Sequence, residues 1–81
     1  MKVYGLRAPA GPENAIGKGV SRPILVVRYL GEVRAYATYR NGFYEFQLDD
    51  TMAASFDRGE ISPRFEIDDG HPIAITLTDN D

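Results

Sequence analysis

Apolar and polar residues alternate through residues 33–48, on both sides of the dipeptide Asn41-Gly42. Asn-Gly between two alternating segments is the strongest short-range sign of a β-hairpin with a two-residue turn. That turn places Tyr39 opposite Tyr44 and fixes the register of the two strands. Because successive side chains of a strand point to opposite faces, the hairpin separates its residues into two sets.

The two sets differ in polarity. One face carries Val33, Ala35, Ala37, Tyr39, Tyr44, Phe46 and Leu48. The other face carries Arg34, Tyr36, Thr38, Arg40, Phe43, Glu45 and Gln47. We expect the first face to be buried and the second to be wetter, which makes an antiparallel sheet the centre of the fold.

Four further segments are predicted to be short strands, at residues 2–7, 24–30, 63–67 and 73–77. A Gly31-Glu32 turn joins the second strand to the hairpin and pairs Val26 with Ala37. This register puts Arg28 among the apolar side chains. It gives the second face three more large side chains, Leu25, Val27 and Tyr29.

The last two strands also need a turn, and the sequence offers two. A three-residue loop over 68–70 pairs Phe65 with Ile73 and keeps the apolar residues on one face. A two-residue turn at 69–70 pairs Glu66 with Ile73 and mixes the faces. We therefore predict the three-residue loop, with glycine in its left-handed position.

One short helix is predicted around residues 50–58. Asp49 or Asp50 can cap its first turn, and Gly59 suits its end. The helix has one apolar stripe to bury, because its large or apolar residues recur at helical spacing. The stripe consists of Met52, Ala53 and Phe56.

The chain of 81 residues makes a single domain, residues 1–81, because a second core cannot be buried at this length. The elements predict an α+β, mainly β fold: an antiparallel meander of five or six short strands with one short helix. The sheet is expected to be either curved or closed into a small half-open barrel. Residues 8–22 form a long connection, and residues 78–81 form a frayed acidic end.

Composition limits the kinds of site and the cellular compartments that we expect for the protein. The chain has no cysteine, which excludes disulfides and thiolate metal sites. Its apolar segments fall far short of the roughly 20 residues that a membrane-spanning helix needs. No apolar leader follows the first methionine, so we expect a cytoplasmic protein without a membrane partner.

The net charge of −3 is unevenly distributed. Residues 1–48 hold seven basic and three acidic side chains, a formal charge of +4, whereas residues 49–81 hold two basic and nine acidic ones, a formal charge of −7. Either the acidic half is a solvated surface, or it is an anionic patch that docks on a basic partner. Asp68 and Asp69 are the candidate contact residues of that patch.

Motifs for catalysis and cofactor binding are weak. Gly17-Lys18-Gly19 lacks the spacing and the hydroxyl group of a phosphate-binding loop. His71 stands beside carboxylates without the three or four ligands of a metal site. The serines lie in unrelated contexts, with one histidine as the candidate base. We therefore predict no enzyme activity, no catalytic residues, no cofactor and no metal.

The polar face of the hairpin is the best candidate surface. Small domains use aromatic residues interleaved with arginines on one sheet face to stack bases and bind phosphates. Tyrosine and arginine are also frequent anchors of protein interfaces. The candidate residues are Tyr29, Arg34, Tyr36, Arg40 and Phe43. Alternatively, this is an ordinary outer face with cross-strand pairs, or it packs under residues 8–22.

Three functions are compatible with such a surface. The first is a small protein–protein interaction module, such as a phage- or plasmid-type inhibitor that blocks a host protein handling nucleic acid; its partner is then a larger protein with a basic channel. The second is a single-stranded nucleic-acid-binding domain, which the acidic composition disfavours. The third is a self-associating subunit, such as a homodimer that pairs edge strands.

Overall fold

The computed structural model describes residues 1–8 and 24–80. Its elements are β1 (Lys2–Arg7), β2 (Ile24–Tyr29), β3 (Glu32–Arg40), β4 (Phe43–Leu48), α1 (Asp50–Asp57), β5 (Ile61–Asp68) and β6 (His71–Asp79). The predicted connection at 8–22, which contains Gly17-Lys18-Gly19, lies outside the described residues except for Ala8. Within the described part of the chain, no helix is long and apolar enough to cross a membrane.

The six strands form one sheet in the order β1-β4-β3-β2-β6-β5, which confirms the prediction of a mainly β fold with one short helix. Every pair is antiparallel except β2 with β6, so the sheet is mixed. Parallel neighbours need a long crossover, which is supplied here by everything between β2 and β6. The sheet curls into a half-barrel, since the ring centroids of Tyr44 in β4 and Phe65 in β5 lie 5.7 Å apart although three strands separate them.

The core fills the inside of the half-barrel. We call this side of the sheet the inner face and the opposite side the outer face. The buried core residues are Leu25, Val27, Ala37, Tyr44, Phe46, Leu48, Met52, Ala53, Ile61, Ile75 and Leu77. They come from β2, β3, β4, α1, β5 and β6, so burial of apolar surface holds most of the elements together.

The β3–β4 hairpin has the predicted register. Tyr39 pairs with Tyr44, and their ring centroids are 5.1 Å apart. The rest of the apolar set lies on the inner face, but the predicted burial of Val33 is wrong, since Val33 pairs with the outer-face residue Arg28 and is 45% exposed. The ladder stops at the pair Thr38–Glu45, so the two strands are paired only near their turn.

The predicted Gly31-Glu32 turn is wrong. The chain turns at Leu30 and Gly31, whose φ angles are +52° and +78°. Two successive positive φ angles are typical of a type I′ turn, which matches the twist of the strands it joins. A β-bulge follows, in which Arg34 is the extra residue of β3.

The bulge changes the faces on which the residues of β2 lie. Val27 pairs with Ala35, and both Leu25 and Val27 are buried on the inner face. Tyr29 also belongs to the inner face, whereas Arg28 is exposed on the outer face. The predicted placements of all four β2 residues are therefore wrong, because a one-residue shift of register exchanges the two faces of a strand.

The β5–β6 connection repeats this arrangement. Its turn is the two-residue Asp69-Gly70, in which both residues have positive φ, and not the predicted three-residue loop. A register shift next to Ile67 then pairs Phe65 with Ile75. Without the shift, a two-residue turn would mix apolar and polar residues on each face. With the shift, the apolar residues of both strands return to one face.

Helix α1 covers one end of the inner face. Asp49 is its N-cap, and Asp49 Oδ1 accepts a 2.8 Å hydrogen bond from the N–H of Met52. Met52 and Ala53 are buried, and the ring centroid of Phe56 lies 4.4 Å from that of Tyr4 in β1. The predicted cap and apolar stripe are confirmed.

Polar contacts fasten β1 to the helix. The α-ammonium group of Met1 lies 3.1 Å from Asp50, and Lys2 Nζ lies 2.6 Å from Asp57. The Tyr4 hydroxyl donates a 2.8 Å hydrogen bond to Asp57. These contacts join the basic half of the chain to the acidic half. Some of the opposite charges of the two halves are therefore paired with each other within the domain.

The acidic end is paired where it begins. Thr78 and Asp79, which were expected in the frayed end, belong to β6. The N–H of Asn80 donates a 2.8 Å hydrogen bond to the carbonyl oxygen of Glu60. These bonds tie the end of β6 to the segment that follows the helix.

Candidate functional site

The outer face of β2, β6 and β5 carries two arginines in one row. Arg28 pairs with Thr76, and Thr76 pairs with Arg64, so the three side chains lie side by side across three strands. Since neighbouring strands are about 4.8 Å apart, the Cα atoms of the two arginines are separated by about 10 Å. We call these three residues the arginine row.

The arginine row is unusual in its lack of partners. Among the described residues, neither Arg28 nor Arg64 has a carboxylate oxygen within 4.0 Å of its guanidinium nitrogens. Between them, Thr76 Oγ1 is buried and has no hydrogen-bond partner. The row therefore contains guanidinium groups and a hydroxyl group that could still bind a partner, as far as the described part of the domain shows.

A second row lies next to the first, two residues further along each strand. This tyrosine row consists of Tyr36, Val26, Ala74 and Glu66. Tyr36 is 65% exposed, and it forms no hydrogen bond or aromatic pair with the rest of residues 1–8 and 24–80. The two rows are about 7 Å apart, which is the distance that two residues span along a strand.

The outer face is basic although the chain is acidic. The pairing registers place four arginines on it, Arg7, Arg28, Arg40 and Arg64, and Arg34 lines the cavity that opens on this face. The acidic residues on the same face are Glu45, Glu66 and Asp68. Five positive and three negative side chains give a formal charge of +2, opposite in sign to the net charge of −3.

A cavity of about 650 Å³ opens on the outer face beside β3 and β4. It extends from the paired part of these strands past the end of their ladder, where they are no longer paired. Its lining includes Val3, Arg34, Tyr36, Arg40 and Gln47. The cavity therefore combines apolar, aromatic and cationic groups in one concave surface.

Three of the predicted site residues, Arg34, Tyr36 and Arg40, line this cavity together. The bulge displaces Arg34, whose Nη2 lies 3.1 Å from Glu32. Arg40 Nη1 lies 4.0 Å from Glu45, a long contact between exposed groups that contributes little to stability. Both arginines therefore remain accessible to an external anion.

Tyr29 differs from the other predicted residues because it packs against the inner core. Its hydroxyl donates a 2.6 Å hydrogen bond to Asp79, and this bond, together with burial, raises the pKa of Tyr29. The guanidinium carbon of Arg34 lies 6.0 Å from the centroid of the Tyr29 ring. Tyr29 thus supports Arg34 and is itself committed to contacts within the domain.

The remaining predicted residues lie apart from the cavity. Phe43 is on the outer face at the turn end of β4, 43% exposed, with the guanidinium of Arg7 5.9 Å from its ring centroid. Asp68 and Asp69 are exposed at the β5–β6 turn, on the side of the sheet farthest from β1. The structure therefore does not bring these two carboxylates together with the hairpin residues.

Arg28, Arg64 and Thr76 are not among the residues that the sequence predicts for the candidate surface. Alternation alone predicts Arg28 on the buried face, because it does not reveal the bulge at Arg34. Only the pairing of β2 with β6 brings Arg64 near Arg28. Arg28 itself signals that the predicted register of β2 is wrong, since burying an arginine without a partner is costly.

Among the described residues, no group of three or more His, Cys, Asp or Glu side chains could hold a metal ion. Comparison with protein families, with curated proteins and with solved structures finds no match. The outer face is therefore interpreted from its own chemistry.

Proposed function

We propose that this domain is a binding module whose outer face contacts an anionic partner. The observation that carries this proposal is the reversal of charge, with a formal +2 on one face of a chain whose net charge is −3. A face of one sign on a molecule of the other sign orients an approaching charged partner. It also disfavours contact through the remaining surface.

The arginine row supports the proposal because its guanidinium groups have no carboxylate partner among residues 1–8 and 24–80. A guanidinium presents its N–H donors in a planar fork that matches the oxygens of a carboxylate or a phosphate. Arg58 provides the contrast, since its Nε donates a 2.7 Å hydrogen bond to Glu60 and its fork is already engaged. Within the described part of the chain, no carboxylate occupies the guanidinium groups of Arg28 and Arg64, which leaves them available for such a bond to a partner.

The cavity supports the proposal through its shape. Binding sites are usually concave, with apolar walls and a few polar groups that fix the orientation of the ligand. Here Val3 and Tyr36 supply the apolar surface, while Arg34 and Arg40 supply positive charge. A partner that fills the cavity can therefore gain both apolar contact and ion pairing.

The predicted protein–protein inhibitor is the second candidate function. Asp68 and Asp69 favour it, because both are exposed at the β5–β6 turn and neither has a cationic nitrogen within 4.0 Å among the described residues. In that case the partner is a larger protein with a basic channel, as expected for a phage- or plasmid-type inhibitor. The two candidates require partners of opposite charge, so they can be separated directly.

Retention on immobilised heparin tests the proposal, because heparin is a general polyanion. We expect the unaltered domain to bind at low salt, and Arg28→Gln/Arg64→Gln to elute at clearly lower salt. Arg58→Gln and Arg58→Gln/Lys2→Gln are controls that remove one and two positive charges away from the outer face. They should elute like the unaltered domain.

The possible outcomes decide between the candidates. Flow-through of the unaltered domain at low salt, or an equal loss in the control variants, would refute the proposal. Retention on immobilised polylysine that disappears in Asp68→Asn/Asp69→Asn would favour the inhibitor. Light scattering at high concentration checks for a homodimer, which neither candidate function requires.

A further inference from the structure

We infer that the anionic partner is a single-stranded nucleic acid, which crosses the strands of the sheet with bases on the tyrosine row and phosphates on the arginine row. This inference rests on the proposed function, because it names the partner of the same outer face. It rests on how the two rows are arranged relative to each other, and not on charge alone.

Tyr36 is the residue that a base would contact. Its ring is 65% exposed, and no other ring of the described residues stacks on it. The next members of its row, Val26 and Ala74, are small or medium-sized apolar residues that leave the ring standing above its neighbours. An exposed aromatic ring on a sheet surface is the usual platform for an unpaired base.

The arginine row lies where the phosphates of such a strand would pass. It runs parallel to the tyrosine row and about 7 Å from it, a distance that a nucleotide can span from base to phosphate. Both rows run across the strands, so one chain lying across β3, β2, β6 and β5 can use both. Arg28 and Arg64 supply the charge, and rotation of the Thr76 side chain would bring its buried hydroxyl to the surface.

The arrangement favours an unpaired strand over a duplex. In a duplex the faces of the bases are covered by their neighbours, so Tyr36 could stack only after a base had been unstacked. An acidic peptide would pair with the arginines but has no general need for the exposed ring. Glu66 ends the tyrosine row at β5, and its negative charge limits the site on that side.

Fluorescence anisotropy with a labelled oligothymidylate of about 12 nucleotides tests the inference. Tyr36→Ala should weaken binding about 10-fold, while Tyr36→Phe, which keeps the ring, should bind nearly as the unaltered domain does. Arg28→Gln and Arg64→Gln should each reduce the slope of log K against log salt by about 0.7, the value for one contact with a single-stranded phosphate. Arg58→Gln should leave the slope unchanged.

Competition experiments separate this inference from the proposed function. A duplex of the same length and polyglutamate should each compete much less well than the unlabelled single strand. Equal competition by either, or equal binding by Tyr36→Ala and the unaltered domain, would overturn the inference while heparin retention through Arg28 and Arg64 still supported a basic binding face. Loss of both oligonucleotide binding and heparin retention would overturn both. Thermal unfolding of each variant confirms that the fold is retained.

Discussion

The inner and outer faces of this sheet treat neighbouring aromatic residues in opposite ways. Tyr44 and Phe43 are adjacent in β4, yet Tyr44 is 1% exposed and Phe43 is 43% exposed. Tyr44 contacts Tyr39 and Phe65 inside the half-barrel, whereas the guanidinium carbon of Arg7 lies 5.9 Å from the ring centroid of Phe43 on the surface. Because side chains alternate along the strand, the ring of Tyr44 is buried in the core, whereas the neighbouring ring of Phe43 lies on the surface.

This difference has a consequence for how the domain can work. The inner face contains no buried charged or polar residue among those described, and it supplies the apolar burial on which folding depends. The outer face holds Tyr36 and the arginine row, and none of these residues belongs to the core cluster. We therefore expect that residues of the outer face can be replaced without unfolding the protein, and that core substitutions change stability without altering the outer face.

The largest expected difference in stability is between two single substitutions, Tyr44→Ala and Phe43→Ala. Tyr44→Ala should lower the free energy of unfolding by about 3–5 kcal/mol, because it leaves a cavity among buried rings. Phe43→Ala should cost less than about 1 kcal/mol, the range for an exposed cation–π contact. Urea unfolding followed by circular dichroism measures both values. Similar costs for the two variants would show that the faces are not divided as described.

A smaller effect is expected from two glycines, one in a turn and one on the outer face. Gly31 has a φ of +78°, so Gly31→Ala should cost about 1–2 kcal/mol through backbone strain. Gly5 does not have a positive φ, and a Cβ there would meet its nearest neighbour, Phe43 Cδ1, at an ordinary 4.0 Å. Gly5→Ala should therefore leave the midpoint of urea unfolding unchanged or raise it slightly. A loss of stability in Gly5→Ala that matched Gly31→Ala would contradict this reading of the turn.

The β3–β4 hairpin could be predicted from sequence because all its signals are local. Asn41-Gly42 specifies the turn, and unbroken alternation on both sides specifies the faces. The helix was predictable for the same reason, since Asp49 and the apolar stripe lie within a few residues of one another. Local patterns therefore identified Arg34, Tyr36 and Arg40 as one surface.

The rest of the surface depends on features that local patterns do not contain. The bulge at Arg34 changes the register of β2 without any glycine or proline to mark it, and it moves Arg28 to the outer face. The parallel pairing of β2 with β6 joins segments that are about half the chain apart. Because Arg64 reaches Arg28 only through both features, the arginine row could not be derived from alternation alone.

The smallest expected effect concerns the polar contacts that hold helix α1 over the inner face. Hydrogen bonds from Lys2, at 2.6 Å, and from the Tyr4 hydroxyl, at 2.8 Å, lower the pKa of Asp57. A carboxyl group whose pKa is lower in the folded state stabilises the fold at pH values above its unfolded pKa. That contribution is lost as the pH falls through the folded pKa, which here means below about pH 4.

Asp57→Asn removes this titration and the ion pair with Lys2. Its melting temperature should lie slightly below that of the unaltered domain at pH 7, and the difference should shrink as the pH falls below about 4. The effect should be small because these side chains are largely exposed and screened by solvent. Asp50→Asn is the control, since the Asp50 side chain is 95% exposed and its ion pair is with the α-ammonium group of Met1. A melting-temperature difference for Asp57→Asn that stayed constant from pH 7 to pH 2.5 would show that Asp57 acts through packing and not through its charge.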